Sequence, residues 1–154
     1  MAKKRPVVPA AIRNRRARHD YELGDSLVVG LQLTGAETKS LRQGHGHLRG
    51  AYVTVKGDEL WLINATITGN NGIPIDDQSK TRARKVLAKR KEINALIAAK
   101  QQGKTIVPLE ILTAGRYIKL RISIGRGKKR YDKRQTLKAR DDARRAAAAL
   151  KLDR

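Results

Sequence analysis

Residues 105–125 read TIVPLEILTAGRYIKLRISIG, and their reading decides the fold. Two apolar-rich runs of strand length, 105–112 and 117–124, flank Thr113, Ala114, Gly115 and Arg116, which is the pattern of a hairpin. In the second run Ile118, Leu120, Ile122 and Ile124 face one way. Tyr117, Lys119, Arg121 and Ser123 face the other, which puts two cations on the outer surface. The alternation stops at Gly125. Beyond it, residues 126–154 read RGKKRYDKRQTLKARDDARRAAAALKLDR, rich in cations and almost without material for a core. A folded body is therefore expected to end near Gly125, with a basic tail over 126–154.

Upstream, residues 21–33 are β-like, and Gly24-Asp25 permits a bulge early in the run. Residues 36–43 suit two helical turns, with Thr34 as N-cap and Gly44 as stop. Residues 51–55 and 59–68 read as a hairpin turning at Lys56-Gly57-Asp58, with Trp61, Ile63, Ala65 and Ile67 on one face of its second strand. Residues 69–80 are loop by composition. Residues 87–102 are helical, with Ile93, Leu96 and Ile97 at helical spacing and Gly103 as the stop. Residues 1–13, with Pro6 and Pro9, read as a flexible basic arm. The expected class is mainly β with helices. Antiparallel strands that close on themselves lose their exposed edges, so residues 14–125 are expected to form a small closed oligonucleotide-binding-like antiparallel barrel with flanking helices. A mixed α+β sandwich is the alternative.

The chain has 35 Lys/Arg against 14 Asp/Glu, a formal net charge of +21, which favours a polyanionic partner. Its distribution says more than the total. Residues 1–20 hold seven cations against Asp20, 80–104 hold nine against Glu92, and 117–154 hold fourteen against four acids. Residues 21–79 carry four cations and seven acids. One such run reads as a solvated face; three that fold to one side form a footprint for phosphates. The tail's residues 135–152 are mostly strong helix formers that repel one another, so helix is expected there once RNA neutralises the charge.

Catalysis finds little support. The absence of cysteine excludes disulfides, zinc–thiolate sites and thiol chemistry. His45 and His47 have no further metal ligand nearby in sequence, and Asp76-Asp77 beside Pro74 is explained by turn chemistry. Gly103-Lys104-Thr105 resembles the end of a phosphate-binding loop, but Ala98 stands where that loop needs glycine, and the preceding residues are helical. No metal and no cofactor is expected. The N-terminus lacks the apolar stretch of a signal peptide and no window approaches a membrane span, so a cytoplasmic protein is expected. With five aromatics and no Phe, a sheet that stacks successive bases is not expected; the pattern suits holding a folded RNA by backbone and shape. Tyr131, between Arg130 and Asp132, either stacks on one exposed base or stands in solvent.

Three motifs in order carry a resemblance: Asn14-Arg15-Arg16-Ala17-Arg18-His19-Asp20-Tyr21; Gly30-Leu31-x-Leu33-x-Gly35-x-Glu37-x-Lys39-Ser40-Leu41-Arg42; and Gly127-Lys128-Lys129-x-x-Asp132-Lys133-Arg134. From about residue 11 to residue 145 the chain resembles the bacterial SsrA-binding (small protein B) family. The resemblance implies an adaptor, not an enzyme. Such a protein binds the tRNA-like domain of transfer-messenger RNA, is delivered with elongation factor Tu, and acts as a monomer on stalled ribosomes. Its tail reaches the 30S decoding centre and the empty mRNA channel. By position, Asn14, Arg16, Arg18, His19, Glu37, Lys39, Arg42, Arg82, Arg84, Lys85 and Leu87 would contact that RNA. Gly127, Lys128, Lys129, Tyr131, Asp132, Lys133 and Arg134 would act in the ribosome, the tail being disordered until bound. The chain departs from the family at Val28, where an acid is common, at Ala36, where a large residue is usual, and at Asp77-Gln78-Ser79-Lys80, where Asp-Pro is usual. A structural ribosomal or other rRNA-binding protein is the alternative function. An RNA enzyme would need an acid cluster or a paired base and nucleophile, which the sequence lacks.

Overall fold

A computed structural model describes residues 11–70, 72–128 and 130–152 of the 154, with residues 130–133, 136, 151 and 152 described in backbone only. In chain order, β1 (Ile12–Arg13) and α1 (Ala17–Asp20) precede the long strand β2 (Tyr21–Leu31). Then come α2 (Gly35–Arg42), β3 (Gly46–His47), the hairpin β4 (Tyr52–Lys56) and β5 (Glu59–Ile63), and β6 (Thr66–Ile67). β7 (Arg84–Leu87), α3 (Arg90–Gln101), the hairpin β8 (Thr105–Leu112) and β9 (Lys119–Gly127), and α4 (Arg130–Leu152) complete the order.

The fold is mainly β, with one antiparallel sheet ordered β1-β8-β4-β5-β7-β2-β9, in which β8 also pairs with β9; β3 and β6 pair separately. The decisive hairpin forms, with Ile106 opposite Ile124 and Leu112 opposite Lys119, but its second strand begins at Lys119, so Tyr117 and Ile118 belong to the turn. Pro108 has no N–H to give the ladder, and the register slips between it and Glu110. The expected bulge in β2 lies between Leu23 and Ser26. Gly57 and Asp58 both have positive φ, the two-residue turn that matches strand twist. The core is aliphatic: Leu41, Leu48, Leu60, Leu62, Ile67, Ile106, Ile111, Leu120 and Ile122 are fully buried. α3 lays Leu96 and Ala99 on it, and Lys100 Nζ donates to Thr54 Oγ1 at 2.9 Å.

Several expectations are corrected. The strand expected over 59–68 is two elements. Asn64 has φ 61°, and after it the chain joins β3 instead of β4. That residue also changes the buried face, so Leu60 and Leu62 point inward before it and Ala65 and Ile67 after it, while Trp61 and Ile63 are only half-buried. Leu87 belongs to β7, and its helix begins at Arg90. Ile12 and Arg13, read as the end of an arm, pair with Ile111 and Glu110, because Ile12 has a core to enter. Arg126 and Gly127 still pair with Glu22 and Tyr21, so the sheet runs past Gly125. The segment expected to turn helical on RNA is helix over Arg130–Leu152, with every described side chain exposed. Residues 1–10 of the expected arm lie outside the described residues.

Candidate nucleic-acid interface

The basic N-terminal segment is fastened before it is presented. Asn14 N–H donates to the carbonyl of Leu109 at 2.7 Å, and Asn14 Nδ2 to that of Pro108 at 2.9 Å. Ala17 is buried, which turns Arg16 and Arg18 outward on either side of it. His19 Nδ1 lies 3.0 Å from Asp20 Oδ1, which fixes the ring's orientation. Asn14, expected to touch RNA, has both its backbone N–H and its side-chain NH2 donating to β8.

α2 starts on a capping box: Thr34 Oγ1 accepts the Glu37 N–H at 3.2 Å, and the Glu37 carboxylate accepts the Thr34 N–H at 3.2 Å. The same carboxylate takes Arg82 Nε at 3.0 Å and pairs with Arg84. Arg84 is fully buried, and its remaining donors reach the carbonyls of Ala65, Ser79, Lys80 and Arg82 at 2.8–3.2 Å. Burial works to raise the Glu37 carboxyl, but hydrogen bonds from Arg82 and Arg84 outweigh it and hold the group below its usual range. Burial lowers the Arg84 guanidinium, and Glu37 opposes it. Glu37 and Arg84, carried over as RNA contacts, are therefore out of a ligand's reach. They form an internal ion pair that ties α2 to β7 and holds residues 79–82 against it. The signal available in the sequence was the spacing Thr34-x-x-Glu37.

Lys39 is exposed, whereas Arg42 is engaged: its guanidinium donates to the carbonyls of Thr113 at 2.9 Å and Arg116 at 2.8 Å. The two cations, which spacing alone placed together, thus differ in surroundings: one is open to solvent and the other is bound to the β8–β9 turn.

β7, β2 and β9 carry the most continuous candidate face. Register sets Trp61 opposite Lys85, Leu87 opposite Gly30, Gly30 opposite Lys119, and Val28 opposite Arg121, all pointing away from the core. A Cβ on Gly30 would sit 3.1 Å from Leu87 Cβ, so glycine allows Leu87 to lie across β2. Val28 and Leu87 are 40% and 49% exposed. Lys85 Nζ is held by Glu59 at 3.1 Å, and Arg121 lies 2.9 Å from Glu110 in ionic contact without hydrogen-bond geometry. Lys119 is exposed. Sequence reasoning placed Lys119 and Arg121 outside but did not count them in the site; the alternation of 117–124 was the signal.

The root of the tail is tied to the N-terminal segment. Lys128 N–H donates to the Asp20 carbonyl at 2.9 Å, and Lys128 Nζ to the Arg18 carbonyl at 2.9 Å. Gly127 and Arg134 are exposed. Lys129 lies outside the described residues, as do the side chains of Tyr131, Asp132 and Lys133. Among the described residues no group of three or more acids and histidines is placed to hold a metal, and no helix is long and apolar enough to cross a membrane. His45 Nδ1 lies 3.4 Å from Asn70 Nδ2.

Basic segments from three parts of the chain thus meet on one small β body. The family model described as SmpB protein matches residues 11–152. The chain belongs to the SmpB family. It is 44% identical over 155 residues to the SsrA-binding protein of Oenococcus oeni, covering 98% of each chain. It is 44% identical over 140 residues to the SsrA-binding protein of Chelativorans sp., covering 90% of each. Among solved structures it matches a chain from "tmRNA-SmpB: a journey to the center of the bacterial ribosome" with a TM-score of 0.65 and 34% identity, over 82% of this chain and 94% of that one. Members of the SmpB family thus share both sequence and fold with this chain along most of its length.

Proposed function

We propose that this protein is an RNA-binding adaptor of trans-translation, which holds the tRNA-like domain of transfer-messenger RNA and brings it to stalled ribosomes. The observation that carries the reading is a cationic face on the β body that continues onto an exposed basic helix, Arg140 of α4 lining one cleft with Arg18 and Arg121. On the body, Arg16, Arg18, Lys39, Lys85 and Lys119 stand on ordered elements. The described side chains of α4 are all exposed and include Arg134, Lys138, Arg140, Arg144 and Arg145. A basic body extended by an exposed basic helix suits a protein that meets two polyanions at once. The body grips one RNA by backbone and shape, and the tail, from residue 128 on, lies in the empty mRNA channel at the decoding centre, where rRNA neutralises its repulsions and holds it as helix.

The body is read as a closed barrel of the oligonucleotide-binding kind. The circuit β4–β5–β7–β2–β9–β8–β4 supports it, because each of its strands has two neighbours. The protein acts as a monomer in the cytoplasm, arrives with elongation factor Tu, and carries out no chemical step itself.

The test is a translation extract without the endogenous protein, programmed with a message lacking a stop codon and supplied with transfer-messenger RNA. Adding this protein restores peptide tagging. Absence of tagging, with the protein instead bound to ribosomal subunits whether or not they are stalled, would favour a structural ribosomal protein.

A further inference from the structure

We infer that the turn between β8 and β9 is an additional RNA-binding point, at which Tyr117 stacks on one unpaired nucleobase; the inference rests on the adaptor reading and names a contact within it. Tyr117 is 68% exposed, more than Tyr52, Val28 or Leu87. The Arg116 guanidinium lies over its ring, 5.5 Å from the centroid, within cation–π range. With one face covered by a cation and most of the residue exposed, the opposite face is open to a flat ligand. The ring contributes nothing to the core, so packing does not explain its place.

The turn is rigid where it needs to be. Arg42 donates from α2 to the carbonyls of Thr113 and Arg116, the two ends of the turn. The neighbouring Ile118 is buried and anchors the chain just beyond the ring. Holding the ring beforehand lowers the ordering cost of binding. Lys119, two residues on and the first residue of β9, is exposed and lies at the β2–β7 face, so a phosphate next to the stacked base would meet a cation. An aromatic beside Arg and Lys is the arrangement that binds an unpaired base with its backbone and tolerates any base identity. The base could come from transfer-messenger RNA or from rRNA; the chemistry is the same.

The test uses the full chain and measures binding to a transcript of the tRNA-like domain and, separately, to ribosomes stalled on a message without a stop codon. Tyr117→Ala is expected to weaken one of the two by roughly five- to a hundredfold, the range that base–aromatic stacking spans. Tyr117→Phe and Tyr117→Trp retain binding, and thermal unfolding of all three variants stays at the wild-type midpoint. Loss on the transcript assigns the base to transfer-messenger RNA; loss only on ribosomes assigns it to rRNA. The salt dependence of binding is unchanged in Tyr117→Ala, because no charge is removed. Tyr117→Ala binding both partners within twofold of wild type would overturn the inference, as would Tyr117→Phe losing as much as alanine. Wild-type protein that binds neither would bring down the adaptor reading and this contact with it.

Discussion

Lys128 Nζ donates to the backbone carbonyl of Arg18 at 2.9 Å, across 110 residues of sequence. The Lys128 N–H reaches the Asp20 carbonyl at the same distance, so one residue satisfies two carbonyls at the C-terminal end of α1. α1 carries Arg18 and His19 of the basic N-terminal segment, and Lys128 is the last described residue before α4. The direction in which the tail leaves the body is therefore set by the segment expected to contact RNA.

Lys128→Met is expected to free the tail root while the β body stays intact. Affinity for the tRNA-like transcript should stay within about twofold, since one cation contributes little beyond one phosphate contact. Tagging of stalled ribosomes should fall, and Lys128→Arg should recover part of it because Arg can still donate to the Arg18 carbonyl. Spin labels on β2 and α4 would show the cause as a broader distance distribution in Lys128→Met.

Glu37→Gln leaves the Arg84 guanidinium buried without its counter-charge, an arrangement that costs about 3–5 kcal/mol. Urea unfolding at neutral pH should show a loss of that size. The pH dependence has a definite sign. The folded-state carboxyl of Glu37 is held below its ordinary value of 4.5, so the unfolded chain takes up a proton first as pH falls. The stabilisation is complete above that ordinary value and is lost as pH drops through the lower, folded one. The difference between wild type and Glu37→Gln should therefore shrink on acidification below about pH 4.5. A difference that grows instead would show that the pair does not stabilise the charged carboxyl.

What the sequence made legible followed local rules. Alternation in 119–122, the turn at Gly57-Asp58, the Thr34 cap and the Gly103 stop all act within a few residues, and each is present in the fold. What it hid depends on distant partners. The break at Asn64 is one residue in a left-handed conformation, invisible in a run that otherwise reads as strand. Arg84 looks like any cation in a basic run until Glu37 and four carbonyls are brought around it. The candidate site divides the same way. Charge marked the basic segments, but only packing separates Lys39 and Arg18, which are exposed, from Arg84 and Arg42, which hold the fold together.

Ending the chain after Lys128 should leave the body folded, because β9 stops at Gly127 and the described side chains of α4 are exposed. The thermal midpoint should move by no more than a few degrees, and transcript binding should persist, while tagging is abolished. Ending it after Gly125 should cost stability, since Arg126 and Gly127 pair with Glu22 and Tyr21 and Lys128 caps α1. Equal stability of the two truncations would place the boundary of the body at Gly125 instead.

Lys39→Ala and Arg42→Ala, three residues apart on α2, should fail in different ways. Lys39 is exposed and holds no protein partner among the described residues, so its loss should leave unfolding unchanged and lower the salt slope of RNA binding by about one. Arg42 joins α2 to the β8–β9 turn through two charged hydrogen bonds, and losing them should cost roughly 1–3 kcal/mol of stability. Because that turn also carries Tyr117, Arg42→Ala should weaken RNA binding by loosening the ring. A faster off-rate combined with Tyr117→Ala adding little further loss would show that both variants act on the same contact. Full additivity would mean that Arg42 touches RNA itself.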